Sequence, residues 1–131
     1  MSEPVVFISH FRVKEGALEA FEQLNRQIAE SLEADKPRTL VFLSYLDSEQ
    51  ARVSFLHVFA DQESMDLHFE GSDDRSQSAL EVMAPDGWDV YGQPSAAALA
   101  NLRQAAAASG AVLTVHPTFV AGFLRGAGHL T

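Results

Sequence analysis

Residues 38–60 read RTLVFLSYLDSEQARVSFLHVFA, and this stretch decides the fold. Arg38 to Leu46 and Arg52 to Ala60 are rich in β-branched and aromatic residues, the composition of strands. The link between them, Asp47-Ser48-Glu49-Gln50-Ala51, is short and polar. A parallel crossover needs a dozen residues or more, so the pair is expected to be an antiparallel hairpin.

Upstream, Pro4 to Val13 (PVVFISHFRV) predicts a first strand. One face carries Val5, Phe7, Ser9, Phe11 and Val13; the other carries Val6, Ile8, His10 and Arg12. After Lys14-Glu15-Gly16 the apolar period changes, with Leu18, Phe21, Leu24, Ile28 and Leu32 forming one stripe of an amphipathic helix. Asp35-Lys36-Pro37 ends it, because proline cannot continue a helix.

Downstream, Asp61 is placed to cap a second helix with Met65, Leu67, His68 and Phe69 at its start. Gly71-Ser72-Asp73-Asp74 interrupts the helix, and its spacing resumes at Ala79, Leu80, Val82 and Met83. Pro85-Asp86-Gly87 reads as a turn before a short strand, Trp88 to Tyr91. Pro94-Ser95 opens an alanine-rich helix from Ala96 to Ala108, with Leu99, Leu102 and Ala106 as its packing stripe and Gly110 as its stop. A last strand runs from Val112 to Val115, with Thr118 to Leu124 as its continuation past Pro117. Residues 126–131 are expected to fray.

The order β-α-β-β-α-β followed by α-β gives an α+β, ferredoxin-like plan with an added C-terminal helix-strand unit. One domain over 1–131 is expected, with a core at about 4–91 and the appended unit at about 94–125. Two helices cover one sheet face. The face assigned as bare carries Phe7, Phe11, Val41, Tyr45, Phe55 and Phe59. So large an apolar patch is rarely left in water, and two copies packed sheet to sheet would make a homodimer of the dimeric α/β barrel type.

Composition narrows the function. The 131 residues are 47% hydrophobic and 21% charged, as in an ordinary soluble globular protein. The absence of cysteine removes disulfides and thiolate metal sites. A net charge of -9, with the nine bases scattered, argues against nucleic acid and anionic membrane as partners. The acidic start Met1-Ser2-Glu3-Pro4 lacks the pattern of a signal peptide, so the expected location is cytoplasmic.

A strand ending in VKEG (13–16), a long amphipathic helix, a hairpin and then FADQESMDLHFEGSDD (59–74) resemble antibiotic biosynthesis monooxygenase domains. The resemblance runs from about Val5 to Met83, and the domains commonly keep a histidine where His68 stands. It implies a cofactor-independent monooxygenase acting on a small aromatic or quinol-type molecule, with no heme, flavin or metal. In that chemistry the protein binds the substrate in an apolar pocket and helps remove a proton, and the electron-rich anion reacts with dioxygen itself. Heme-degrading relatives of the fold instead use an asparagine, a tryptophan and a histidine; the matching positions here are Ser9, His68 and about Ser78, none of the required type.

The candidate catalytic bases are His57 and His68, with Ser9 and Tyr45 as orienting groups and Phe7, Phe11, Phe55 and Phe59 as apolar walls. Each has a plainer reading. His57 is expected on the bare face with Ser9 and Tyr45, either as a pocket base or as an interface histidine bonded to a backbone carbonyl or across the dimer, and His68 either lines a pocket mouth or packs on its helix. His10 is expected on the helix-facing side of the first strand. His116 and His129 have no spaced partner for zinc, and Glu70, Asp73 and Asp74 lack the order of a calcium loop. Trp88 and Tyr91 either close a cavity or anchor a strand. Ser9, Ser44 and Ser54 sit in no G-x-S-x-G elbow, and there is no glycine-rich phosphate loop. Two other classes stay open: a non-catalytic ligand-binding or dimerisation domain, and an isomerase or cyclase on the same fold.

Overall fold

The computed structural model describes residues 3–125; the expected frayed tail and His129 lie outside them. In chain order the elements are β1 (Val5–Val13), α1 (Leu18–Asp35), β2 (Thr39–Asp47), β3 (Arg52–Phe59), α2 (Gln62–Phe69), α3 (Asp73–Val82), β4 (Met83–Tyr91), α4 (Ala96–Ser109) and β5 (Leu113–His116). The sheet order is β2-β3-β1-β4-β5. The first four strands pair antiparallel, and β5 adds parallel to β4 after the α4 crossover. This is the ferredoxin-like α+β fold with the added helix-strand unit, and the sheet is open rather than closed on itself.

Local chemistry explains the punctuation. The Asp61 side chain accepts from the backbone N–H of Ser64 (2.8 Å) and from its hydroxyl (2.7 Å), which starts α2. Gly71 breaks the second helical segment, so α2 and α3 are separate helices. Ser95 caps α4 through the N–H of Ala98 (3.2 Å), and Gly110 stops it in the left-handed region at φ 76°. Gly92 joins β4 to α4 at φ 99°, where an added Cβ would sit 2.7 Å from the carbonyl oxygen of Pro4.

Three expectations need correction. Pro85-Asp86-Gly87 is not a turn: it lies inside β4, where the pairing with β1 shifts register between His10 and Phe11. Such an irregularity accommodates a proline, which has no N–H for the ladder, beside a glycine. Thr118 to Leu124 does not prolong β5, which ends at His116, before Pro117.

The third correction concerns the faces. Phe7, Phe55 and Phe59, expected from the sequence on the bare face, are instead 3%, 6% and 0% exposed beneath the helices. Two core clusters form there: Val5, Phe7, Phe59, Met65, Trp88 and Val90 in one; Val13, Phe21, Val53, Phe55, Ala79 and Met83 in the other. Leu102 and Ala106 of α4 pack on the first, so the alanine-rich helix does dock. Phe11 is half-buried against the second.

The open face instead carries Val6, Ile8, Leu56 and Val58, with Val41, Leu43 and Tyr45 from β2. Strand alternation separates two faces without saying which one the helices take. Here the helices take the aromatic one, whose rings bury the larger apolar area.

Candidate functional site

His57 and His68 come together under α2. Their ring centroids are 4.9 Å apart and meet edge to face at 76°. The pair sits in an aromatic box: Phe7 at 5.2 Å and Phe42 at 5.2 Å from His57, Phe59 at 5.3 Å and Phe69 at 5.1 Å from His68. Both rings are buried, at 5% and 3% exposure. His57, expected on the bare face, instead points inward between Phe55 and Phe59 on the helix-covered side of β3. Helical placement near the end of α2 turns His68 onto the same spot.

Hydrogen bonds fix one ring's tautomer. The Nδ1–H of His57 donates to the carbonyl of Phe7 at 3.1 Å, which leaves the lone pair on Nε2. Nδ1 of His68 shares a 2.7 Å hydrogen bond with the Thr39 hydroxyl. Arg75 donates to the backbone carbonyl of His68 at 2.9 Å and pins the end of α2.

Burial sets the charge state. Desolvation pulls His57 down to about 4, against the opposing effect of the nearby Phe7 and Phe55 carbonyls, which favour the protonated ring. His68 is pulled down to about 3 by desolvation, then by repulsion from His57, Arg75 and Lys36. Both imidazoles are neutral at pH 7.

Beside His68 lies an open cleft of about 300 Å³ between the 35–39 segment and α2. Thr39, Ser64, Leu67 and His68 line it, with Lys36 and Arg38 at its rim. The two cations are already engaged: Lys36 Nζ caps the carbonyls of Leu67 and Glu70 at 2.9 Å each, and Arg38 pairs with Asp61 at 3.2 Å. His57 does not line this cleft. The interior around it is filled by the aromatic box.

The remaining candidates separate. Ser9 is buried on the helix side, in register between Phe55 and Trp88, away from His68. Tyr45 is 62% exposed on the opposite face, so it does not share a site with His57. Trp88 is buried in the core while Tyr91 stacks on His116 at 4.4 Å on the open face, so the two close no common cavity. Ser78 is exposed on α3. Thr39, Phe42 and Phe69 belong to the site and carry only weak signals in the sequence: Phe69 adjoins His68, and Phe42 follows from a β2 register that the sequence leaves undefined.

His10 is not on the helix side. On the open face it takes Ser54 Oγ at 2.8 Å and Asp89 at 3.1 Å, and His116 reaches the same carboxylate at 3.6 Å. Ser54–His10–Asp89 has the connectivity of a hydrolase triad. Its setting is a pleated sheet whose neighbouring N–H groups are spent in the ladders, so no pair of free donors faces Ser54 to hold an oxyanion. The network is a polar clip across β1, β3, β4 and β5. Among the described residues, no three His, Asp or Glu side chains come together as a metal site.

No family model and no curated protein matches the sequence. Solved structures do. MupZ from Pseudomonas fluorescens superposes at a TM-score of 0.71 with 14% identity, covering 95% of this chain and 97% of that one. A match that wide must take in most of α4 and β5. SnoaB, a cofactor-independent oxygenase from Streptomyces nogalater, gives 0.59 with 14% identity over 72% of this chain and 96% of its own. A protein from Caulobacter crescentus CB15, named for antibiotic biosynthesis monooxygenases, gives 0.60 with 16% identity over 68% and 88%. At such identities the likeness is one of fold, and the chain carries the antibiotic biosynthesis monooxygenase-like fold.

Proposed function

We propose that the chain is a cofactor-independent monooxygenase that takes a small aromatic or quinol-type molecule into the His68 cleft, and that it works as a homodimer. The observation that carries this reading is the pair of buried, neutral imidazoles packed edge to face beside an open cleft of about 300 Å³, the size of a small-molecule site. A fold likeness to an oxygenase named as cofactor-independent adds support.

In this reading the dihydroxyaromatic ring slides against Leu67 and Pro37, and its hydroxyl meets His68. His68 accepts the phenolic proton or orients it, with Thr39 holding the ring through Nδ1. His57, held by the Phe7 carbonyl, packs behind His68 and keeps it in place. The deprotonated substrate supplies the electrons for dioxygen.

Dimerisation rests on the open face, where Val6, Ile8, Leu56 and Val58 are half-buried and Leu43 and Tyr45 are 45% and 62% exposed. A competing reading, a non-catalytic ligand-binding or assembly domain, is favoured by one fact: an imidazole held near pKa 3 to 4 is a weak base for a phenol.

Oxygen consumption with a panel of quinols and dihydroxyaromatics separates the two. The oxygenase reading expects turnover that His68→Ala lowers by about 10² or more while the oligomer persists. Consumption at the uncatalysed rate for every substrate, or turnover untouched by His68→Ala, refutes it.

A further inference from the structure

Two sets of exposed apolar side chains lie at opposite edges of the sheet. At the β5 edge, the arm 117–125 leaves Phe119, Val120 and Phe123 at 38%, 89% and 77% exposure. At the β2 edge, Leu43 and Tyr45 are exposed. Four strand spacings separate β2 from β5, about 19 Å, with the sheet between them. In the folded chain both sets stay exposed to solvent.

We propose that they meet in a second copy of this chain: the arm of each protomer wraps the β2 edge of its partner, lays Phe123 over Leu43, and walls the outer side of the His68 cleft. This rests on the homodimer reading and adds to it that the site is completed by the partner.

Three observations select this occupant. The chain has 18 acids against 9 bases, a poor surface for self-association. The charged groups of the open face are nearly balanced, with Arg12 and Arg52 holding Asp86 at 3.5 and 2.6 Å, and Asp89 shared between two histidines. This is the face on which two copies approach with little repulsion.

Symmetry then fixes the direction. A two-fold axis along the strands sets each β5 over the partner's β2. An axis across the strands instead sets β5 on β5 and β2 on β2, which leaves the two apolar sets apart. Finally, reach is sufficient. Nine residues extend to about 30 Å, and packed sheets lie about 10 Å apart.

The chain has no cysteine, so disulfide trapping starts from a clean background. Leu43→Cys and Phe123→Cys are made as separate full-length proteins, mixed, and oxidised. The proposal expects a covalent heterodimer at twice the chain mass from the mixture, and little from either variant alone. Phe123→Asp should raise the dimer dissociation constant at least tenfold and speed amide exchange in residues 39–47.

A disulfide that forms only within one chain, when both cysteines are placed together, overturns the proposal. So does a dimer by sedimentation that traps no disulfide in the mixture. A monomer by sedimentation overturns both this inference and the dimer reading, while oxygen consumption tests the catalytic reading separately.

Discussion

Acid should unfold this protein in a pH window that belongs to His57 and His68. Each has a folded pKa below its ordinary value near 6.5, about 4 for His57 and about 3 for His68. The unfolded chain therefore binds protons that the folded chain refuses. Stability is fully present above pH 6.5 and is lost as pH falls toward the folded values. Between pH 6 and pH 5 each histidine removes roughly 1 kcal/mol, so the pair removes about 2 kcal/mol. That is a large share of a stability that for most domains is about 5–15 kcal/mol.

Asp61 and Asp86 are also depressed, chiefly by hydrogen bonds from Ser64 and Arg52, but they start from a carboxylate value and act at lower pH. Urea unfolding at half-unit steps from pH 7.5 to 5 measures the slope. His57→Phe and His68→Gln should each remove about half of it, whatever they do to stability at pH 7.5. An unchanged slope in both variants refutes the assignment of buried, neutral imidazoles.

Three further outcomes are expected. Phe59→Ala, at a fully buried ring touching both histidines, should cost about 3–5 kcal/mol in urea unfolding. Asp61→Ala should cost about 1 kcal/mol and speed amide exchange in the first turn of α2, because the Ser64 N–H loses its cap. Gly92→Ala should lower the melting temperature, with a cost of about 1–3 kcal/mol from the left-handed backbone and the clash with the Pro4 carbonyl; an unchanged melting temperature would contradict the geometry.

Much of the fold was legible because punctuation and period agree in this chain. The polar link after Leu46 made the hairpin, Pro37 ended α1, Gly71 split the second helical segment, and Leu102 marked the packing side of α4. What could not be read is the choice of face. β1 and β3 are apolar on both sides, with Phe7 and Phe59 on one and Ile8, Leu56 and Val58 on the other, so alternation is satisfied either way. The shift between Thr39 and Val41 then moved Tyr45 away from Phe55 and put Phe42 opposite His57. Resemblance singled out His68, and alternation grouped His57 with Phe55 and Phe59 but on the wrong face. That the two touch depends on the angle at which α2 crosses the sheet, and no residue pattern encodes that angle. The clip linking His10, Asp89 and His116 joins residues far apart in the chain and has no local signature.

The α4–β5 unit has one more consequence. It adds its strand to the outer edge of a four-stranded sheet that is already complete in ferredoxin-like order, and α4 contributes no fully buried residue. An element attached in this way can detach as a cooperative block while the rest stays folded. Amides of α4 and β5 would then exchange through a partial opening, below the free energy of global unfolding. Such a block is also a module that a lineage can gain or lose without rebuilding the core. The likeness to MupZ spans 95% of the chain and that to SnoaB 72%, the pattern expected if some proteins of this fold carry the module and others end before it.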